Sequence, residues 1–252
     1  KLSHNGLQGS VTSVMAALLC ILIGLFVGFL VLLAINPAHA WADGFVRILK
    51  GGFHDAPYGV GKELANAAPL IMTGLSVGFA FKTGLFNIGA AGQYTLGAYG
   101  ALYCAIMLKM PWFVCLIAAT ILGGIWGAIP GFFKAYFNIN EVITSIMFNW
   151  IGLYLVNELI YQNGTGPMYD VRNTRTMNLS KNADYAQSII PDFGLNKLFQ
   201  TNSTTIAIFL AAAVAILIWV VLNKTTFGYE LKAVGLNKSA ARYAGINEKK
   251  NI

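Results

Sequence analysis

The segment TSVMAALLCILIGLFVGFLVLLAI, residues 12–35, contains no Asp, Glu, Lys or Arg over its whole length. About 20 apolar residues, each rising 1.5 Å along an α-helix, are enough to cross the hydrocarbon core of a bilayer. The apolar core of a secretory signal peptide is shorter, roughly 7–15 residues. The segment therefore predicts a membrane-spanning helix.

The rest of the chain is similarly poor in charge. Only 11% of its 252 residues are charged and 56% are hydrophobic, whereas an ordinary soluble domain carries roughly 25% charged residues. We therefore expect an all-α, polytopic protein of the lipid bilayer with about six transmembrane helices. The predicted spans are residues 12–35, 64–81, 83–108, 110–133, 142–157 and 198–223.

The charge distribution predicts how these spans are organised. Residues 1–223 form the predicted transmembrane domain, in which residues 160–197 are a long polar loop. Residues 224–252 form a basic tail. Six positive charges lie in this tail, at Lys224, Lys232, Lys238, Arg242, Lys249 and Lys250. Because Lys and Arg are enriched on the cytoplasmic side of membranes, we expect the N-terminus and residue 252 to be cytoplasmic and the loop external.

The net charge of +7 has the same explanation, which argues against nucleic acid as a partner. The chain starts without Met and stops just after a polar segment, so we expect the N-terminal part of a longer protein. The scattered His and Cys residues make no metal-ligand pattern, and no set of residues suggests catalysis.

Polar but uncharged residues are the candidates for a solute path. No predicted span has a charged residue in its interior, which argues against a proton pump or a voltage-gated channel. A neutral polar solute needs hydrogen-bonding groups instead. For any one of these residues, a hydrogen bond between helices is the more common role. The candidates are Asn87, Gln93, Tyr94, Thr144 and Asn149.

Glycine spacing predicts a helix break and a close helix contact. The stretch TGLFNIGAAGQYTLGAYG, residues 83–100, follows a charged residue, and Gly84 tolerates the positive φ that a turn requires. Irregular backbone at membrane depth must be buried in protein or line water, so this stretch is expected to be central. The tandem Gly123, Gly127 and Gly131 predicts that the fourth span packs closely on another helix.

The basic tail contains a short capped helix. Asn237 is a good N-cap and Gly245 a good stop, so we expect a helix over Lys238–Ala244 with a small side at Ala240 and Ala241. Such a helix suits docking into a cleft on another protein. The alternative is a basic helix lying on anionic lipid, which the lack of a wide apolar face disfavours.

Four blocks resemble a known family. They are APLIMTGLSVGFAFKTGLFNIGAAGQ (68–93), NEVITSIMFNW (140–150), GPMYD (166–170) and GYELKAVGLNKSAARYAGI (228–246). In this order they look like permease subunits of bacterial ABC importers of the ribose and branched-chain amino-acid type, with GPMYD typical of the nucleoside branch. Gly92-Gln93 resembles one of the two subunit types that pair there. Ala91 departs from the family, which commonly has Glu at that position.

The resemblance implies a multi-pass subunit of the bacterial plasma (inner) membrane that carries nucleosides and is not an enzyme. It implies a second permease subunit in a heterodimer, an extracytoplasmic solute-binding lipoprotein and a cytoplasmic ABC ATPase. The implied ATPase coupling residues are Asn237, Ala240, Ala241, Arg242 and Gly245. The chain lacks a G-x-x-x-x-G-K-[ST] loop, so ATP and Mg²⁺ are expected on the ATPase and no cofactor on this chain.

Three alternatives remain open. The same machinery could import a simple sugar such as ribose. A secondary transporter or channel working alone should show an inverted repeat or an intramembrane coupling site, and neither is evident. A membrane scaffold would not need the capped tail helix.

Overall fold

The computed structural model of the protein describes residues 2–248 and 251, with side chains from Val14 onward. Lys249, Lys250 and residue 252, which entered the orientation argument, lie outside the described residues. The helices of more than ten residues are α1 (Leu2–Ile35), α4 (Tyr58–Lys82), α5 (Ala90–Ile106), α6 (Trp112–Phe137), α7 (Glu141–Tyr161), α9 (Ala207–Lys224) and α10 (Thr226–Leu236). The short helices are α2 (Pro37–His39), α3 (Val46–Lys50), α8 (Leu195–Phe199) and α11 (Lys238–Tyr243).

Within the described residues, five helices are long and apolar enough to cross a membrane. The candidate spans are Val14–Ile35, Tyr58–Lys82, Trp112–Phe137, Glu141–Gly164 and Ala207–Lys224. Helix α5 has 17 residues, slightly fewer than roughly 20. The predicted fold class, a polytopic all-α membrane protein, is confirmed.

The chain divides into two compact units, residues 1–62 and 63–252. In the first unit, aromatic side chains fix the turn after α1. The ring of Phe29 lies 5.7 Å from that of Trp41 and 5.0 Å from that of Phe45, and the rings of Trp41 and Phe45 stack at 5.6 Å. These separations are those of favourable aromatic pairs. The π-helical turn Ala40–Phe45 therefore folds back on α1.

The second unit is built on α5, α6 and α7, which contact one another. Its fifth predicted span, residues 142–157, was too short, since α7 extends from Glu141 to Tyr161. The Glu141 carboxylate forms an ion pair with Lys134 Nζ at 3.0 Å. The Asn140 side chain caps the helix, because its Oδ1 accepts a hydrogen bond from the Val142 N–H at 2.9 Å. A charged residue whose charge is paired can lie within the first turn of a helix. The charge of Glu141 therefore did not mark the start of α7.

The start of the sixth predicted span, residue 198, was wrong. Helix α8 ends at Phe199 and α9 begins at Ala207. Between them the buried hydroxyls of Thr201 and Thr204 hydrogen-bond each other at 2.7 Å, and the Thr204 N–H donates to the Thr201 hydroxyl. Hydroxyl side chains that bond locally compete with helical hydrogen bonding. The run of uncharged residues here is therefore loop.

The polar connection after α7 contains a small antiparallel hairpin of β1 (Tyr169–Asp170) and β2 (Arg175–Thr176). The Asp170 carboxylate accepts hydrogen bonds from the Asn173 side chain at 2.7 Å and from the N–H groups of Arg172 and Asn173. The Asn173 side chain and these two N–H groups hold the pKa of Asp170 below its ordinary value of 3.8. The ionised carboxylate therefore stabilises this turn.

The turn should open in acid. Because the pKa of Asp170 is lowered in the folded turn, its contribution is fully present above pH 3.8 and is lost as the pH falls through the lowered pKa. We expect Asp170→Ala to raise the pH-corrected hydrogen exchange of the Arg172 and Asn173 amides at neutral pH, while Asp192→Ala does not. Equal protection in Asp170→Ala and the unmodified protein would contradict this role.

Candidate functional site: an amide cluster beside a helix break

Helix α4 ends at a break that a glycine permits. The Leu85 N–H donates to the Ala80 carbonyl at 3.0 Å and the Gly84 N–H to the Phe81 carbonyl at 3.2 Å. Gly84 has a φ of +71°. This pair of bonds is the Schellman motif, in which a left-handed residue closes the helix end. The predicted break after Lys82 is confirmed, and the chain resumes as α5 at Ala90.

The side chains of Asn87 and Gln93 form a closed pair of amides just beyond the break. Gln93 Nε2 donates to Asn87 Oδ1 at 3.1 Å, and Asn87 Nδ2 donates to Gln93 Oε1 at 3.2 Å. Asn87 Nδ2 also donates to the Ser76 hydroxyl at 3.2 Å, and Asn87 Oδ1 accepts from the Gly89 N–H at 3.0 Å. Ser76 Oγ in turn lies 3.4 Å from Gln93 Oε1. These residues, with Asn149, are called the amide cluster below.

Asn149 joins the cluster from α7. Its Oδ1 accepts from the Gly92 N–H at 2.6 Å. A Cβ added at Gly92 would lie 2.8 Å from the Asn149 Cα, so only glycine allows this approach of α5 to α7. The Asn149 Nδ2 group donates no hydrogen bond within the part of the chain that the structure describes. Together with the second N–H of Gln93 Nε2, which donates only one bond among the described residues, it remains available to donate to a ligand.

Helix α6 packs against the other side of Gln93. A Cβ at Gly123 would lie 3.1 Å from the Gln93 carbonyl oxygen, and one at Gly127 would lie 3.1 Å from the Gln93 side-chain Cδ. The predicted close contact of this glycine repeat is therefore present at Gly123 and Gly127. Trp126 Nε1 between them donates to the Phe148 carbonyl at 3.0 Å and ties α6 to α7.

The five predicted path residues have different positions. Asn87, Gln93 and Asn149 are brought together in the amide cluster, whereas Tyr94 is 54% exposed on α5 and takes no part in the hydrogen bonds given above for the cluster. The buried Thr144 hydroxyl donates to the carbonyls of Asn140 and Glu141 in its own helix turn. The structure therefore gathers three of the five candidates, and the path role of all five stays a prediction.

Ala91 lies at the start of α5 and is exposed. The Thr95 hydroxyl donates to its carbonyl at 2.8 Å. The position at which a carboxylate was expected is thus outside the hydrogen-bonding network of Asn87 and Gln93.

The basic tail forms two helices that meet at Asn237. The Thr225 hydroxyl caps α10 by accepting from the Gly228 N–H at 3.1 Å, and Asn237 Oδ1 caps α11 by accepting from the Ala240 N–H at 3.0 Å. Gly245 closes α11 with a φ of +83°, and the Ile246 N–H donates to the Ala241 carbonyl at 3.0 Å. The predicted cap and stop are confirmed. The tail of residues 224–252 is the predicted coupling segment, and below the name refers to its part 226–246.

The predicted coupling residues are divided by burial. Ala241 is only 3% exposed, so it holds α11 in place and does not form an outer surface. Ala240, Arg242 and Gly245 are exposed, and a Cβ on Gly245 would meet no atom within 4 Å. Leu236 and Tyr243 are 89% and 97% exposed. The coupling segment therefore offers small residues flanked by two large apolar side chains.

The ion pair of Lys134 and Glu141 was also missed. Both side chains are mostly buried, with 16% and 20% exposure, and Lys238 at the start of α11 acts electrostatically on Glu141. Asn138 has a φ of +53° in the turn that brings the two together. The only sequence signal is a pair of opposite charges seven residues apart around an Asn-rich turn.

Among the described side chains, no three His, Cys, Asp and Glu residues are grouped as metal ligands. The amide cluster instead offers neutral hydrogen-bonding groups, which suit an uncharged polar ligand.

Comparison with known proteins shows that the sequence matches a protein family. The family model described as "Branched-chain amino acid transport system / permease component" matches residues 61–252. This region contains the amide cluster and the coupling segment. No solved structure gives a significant match to the chain.

Three curated relatives are similar over most of this chain. They are the guanosine ABC transporter permease protein NupP of Bacillus subtilis (35% identity, 93% of this chain and 65% of the relative), the nucleoside ABC transporter permease protein NupB of Lactococcus lactis subsp. cremoris (30%, 95% and 65%) and the glucose ABC transporter permease protein TsgB13 of Haloferax volcanii (32%, 91% and 60%). The chain thus spans a little under two thirds of the length of each. From the family match over residues 61–252, the chain belongs to the family of branched-chain amino acid transport permease components.

Proposed function

We propose that the chain is a membrane-spanning permease subunit of an ATP-driven ABC importer and that it forms part of a translocation path for nucleosides. The observation that carries this proposal is the amide cluster beside the break at Gly84, in a chain similar to a guanosine and a nucleoside permease. A nucleoside is uncharged and rich in hydrogen-bond donors and acceptors. The cluster offers the same kind of groups without charge.

On this proposal Asn149 contacts the solute more than the pair of Asn87 and Gln93 does. In the pair, both amide oxygens accept bonds from protein groups and Asn87 Nδ2 donates two bonds, which leaves one N–H of Gln93 Nε2 without an acceptor among the described residues. The Asn149 Nδ2 group has no protein acceptor among the described residues, so it can donate to a passing hydroxyl or ring nitrogen. The cost of moving a polar solute into the membrane is lowered by such donors.

The coupling segment is the proposed docking site for the ATPase. Its exposed Leu236 and Tyr243 are of the apolar and aromatic type that dominates protein interfaces. The small residues Ala240 and Gly245 let a partner surface approach the helix between them. On this proposal ATP and Mg²⁺ bind the partner, and this chain is a transport subunit without enzymatic activity.

The proposed setting is the bacterial plasma (inner) membrane. The positive charges of the tail support a cytoplasmic coupling segment and N-terminus, and hence an external connection over residues 160–197. The proposed complex contains a second, different permease subunit and a solute-binding lipoprotein that delivers the solute. These proposals rest on the resemblance carried by Gly92-Gln93 and by the block at residues 166–170.

Import of a simple sugar is the second candidate, because the similar protein of Haloferax volcanii is named a glucose permease. The two are separated by reconstituting the full-length permease with its ATPase, second permease and binding lipoprotein in vesicles. We expect ATP-dependent uptake of radiolabelled guanosine that excess unlabelled nucleoside suppresses and excess glucose or ribose does not. Suppression by the sugars alone would favour the second candidate. Uptake of guanosine by this chain alone would contradict an ATP-driven importer.

A further inference from the structure

Backbone atoms at the end of α10 lie directly against backbone atoms at the end of α4. A Cβ added at Gly235 would lie 2.6 Å from the Lys82 carbonyl oxygen and 2.8 Å from the Gly84 nitrogen. A Cβ added at Gly84 would lie 2.8 Å from both the Cα and the carbonyl oxygen of Gly235. Contacts of less than 3.0 Å to backbone cannot be relieved by rotating a side chain. Both positions therefore require glycine for the two chain segments to touch.

A buried residue lies next to the contact on each side. Thr83, next to Gly84, is 5% exposed, and its hydroxyl donates to the Ala80 carbonyl at 2.7 Å. Val234, next to Gly235, is 1% exposed. The break itself is closed by the two Schellman hydrogen bonds. Segments packed this tightly move together instead of deforming gradually.

The contact joins the coupling segment, through Gly235, to the break at Gly84 that precedes the amide cluster. On one side, Gly235 is followed by the exposed Leu236 and then by Asn237, the cap of α11. On the other side, Gly84 lies three residues before Asn87, whose amide holds Gly89, Gln93 and Ser76. A displacement of α11 thus reaches Asn87 through a short, continuous set of contacts.

We propose that Gly84 and Gly235 are positioning residues that form a rigid joint, through which movement of the coupling segment shifts the start of α5 and with it the amide cluster. The proposal rests on the proposed function, since it assigns the coupling segment a moving partner. It adds that the two glycines transmit the movement, and that the break after α4 moves with α10 and not independently of it.

Gly235→Ala tests the joint in the full-length permease assembled with its ATPase, second permease and binding lipoprotein. The added methyl group separates α10 from the break, so the number of solute molecules imported per ATP hydrolysed should fall by about tenfold or more, since misplacement by about 1 Å can cost far more than that. The ATPase should still copurify, because Leu236 and Tyr243 remain.

The matched control is Gly78→Ala in α4, where a Cβ meets no atom within 4 Å. A transport-to-ATP ratio for Gly235→Ala that equals the control would overturn the proposal.

A second measurement does not depend on the solute or on the folding of the glycine variants. Spin labels on Phe86→Cys and Tyr229→Cys, both exposed positions that leave Leu236 and Tyr243 in place, report the distance across the joint in the complex with wild-type glycines. We expect one distance that is the same in the nucleotide-free and the vanadate-trapped ATPase states. A distance that changes between the states would show that the two segments move separately and would refute the joint. Failure of guanosine uptake in the unmodified complex would instead count against the proposed function and leave this distance readable.

Discussion

Asn87→Leu is expected to abolish most transport and to destabilise the protein. The leucine cannot accept from the Gly89 N–H, pair with the Gln93 amide or donate to the Ser76 hydroxyl. Each partly buried polar group left without a partner costs about 1–3 kcal/mol. Since two or more groups are affected, we expect about 2–4 kcal/mol of lost stability and at least about a tenfold loss of uptake. Thermal unfolding in detergent and vesicle uptake measure the two effects.

The control for Asn87→Leu is Asn66→Leu, since Asn66 is an exposed amide on α4. The control should leave both the unfolding temperature and the uptake close to those of the unmodified protein. If Asn87→Leu behaves like the control, the hydrogen bonds of the amide pair do not hold the break in place.

Asn149 allows the structural role and the solute role of the cluster to be separated. Asn149→Asp keeps an oxygen that accepts from the Gly92 N–H but removes the Nδ2 donor. Because a carboxylate is costly at membrane depth, we expect this variant to unfold at a lower temperature than the unmodified complex. Its uptake per folded complex should fall by about tenfold, the value of one lost hydrogen bond of about 1.4 kcal/mol. Normal uptake would show that the Nδ2 donor does not contact the solute.

Ala240→Arg is expected to have the second large effect, on association with the ATPase. Ala240 is exposed beside Tyr243, so an arginine there blocks a close approach without disturbing the packing of α11. We expect the permease to insert normally and to lose copurification with the ATPase, together with solute-stimulated ATP hydrolysis. A binding loss of about 2–4 kcal/mol, roughly 30-fold to 1,000-fold in affinity, is typical for a residue at the centre of an interface.

Two further variants make this result specific. Val171→Arg adds the same charge at an exposed position of the connection that we expect on the other side of the membrane, so it should leave ATPase association unchanged. Ala241→Arg places a charge at a 3% exposed position and should also loosen α11. Loss of association in Ala241→Arg with full association in Ala240→Arg would show that the exposed face of α11 is not the docking surface.

The sequence was informative where a local rule acts alone. The caps at Asn237 and Gly245 and the break at Gly84 follow from the hydrogen-bonding capacity of Asn and the tolerance of Gly for positive φ. The presence of polar, uncharged side chains in apolar spans also predicted Asn87, Gln93 and Asn149 as candidates for a solute path, which stays a prediction. No local rule could show that Asn87 and Gln93 bond each other, because that depends on how α5 meets the end of α4.

The errors have one physical source. Span boundaries were read from charged residues, but the charge of Glu141 is paired with Lys134, and the uncharged residues from 200 to 206 form a loop through Thr201 and Thr204. Similarly, Ala241 was predicted as docking surface from its size, while its burial depends on α10. The joint between Gly84 and Gly235 joins residues far apart in sequence, and single glycines carry no signal of what they touch.

The exposure of Ala91 bears on how relatives of this chain could differ. A glutamate at this position would stand on the outer face of α5, one turn from the exposed Tyr94, and would leave the bonds of Asn87 and Gln93 untouched. Its counter-charge would have to come from another helix or another subunit, since an unpaired carboxylate is costly in lipid. Ala91→Glu would therefore identify the neighbour of α5 in the assembled protein. The chain that pairs a cation with this glutamate is the chain that lies along α5.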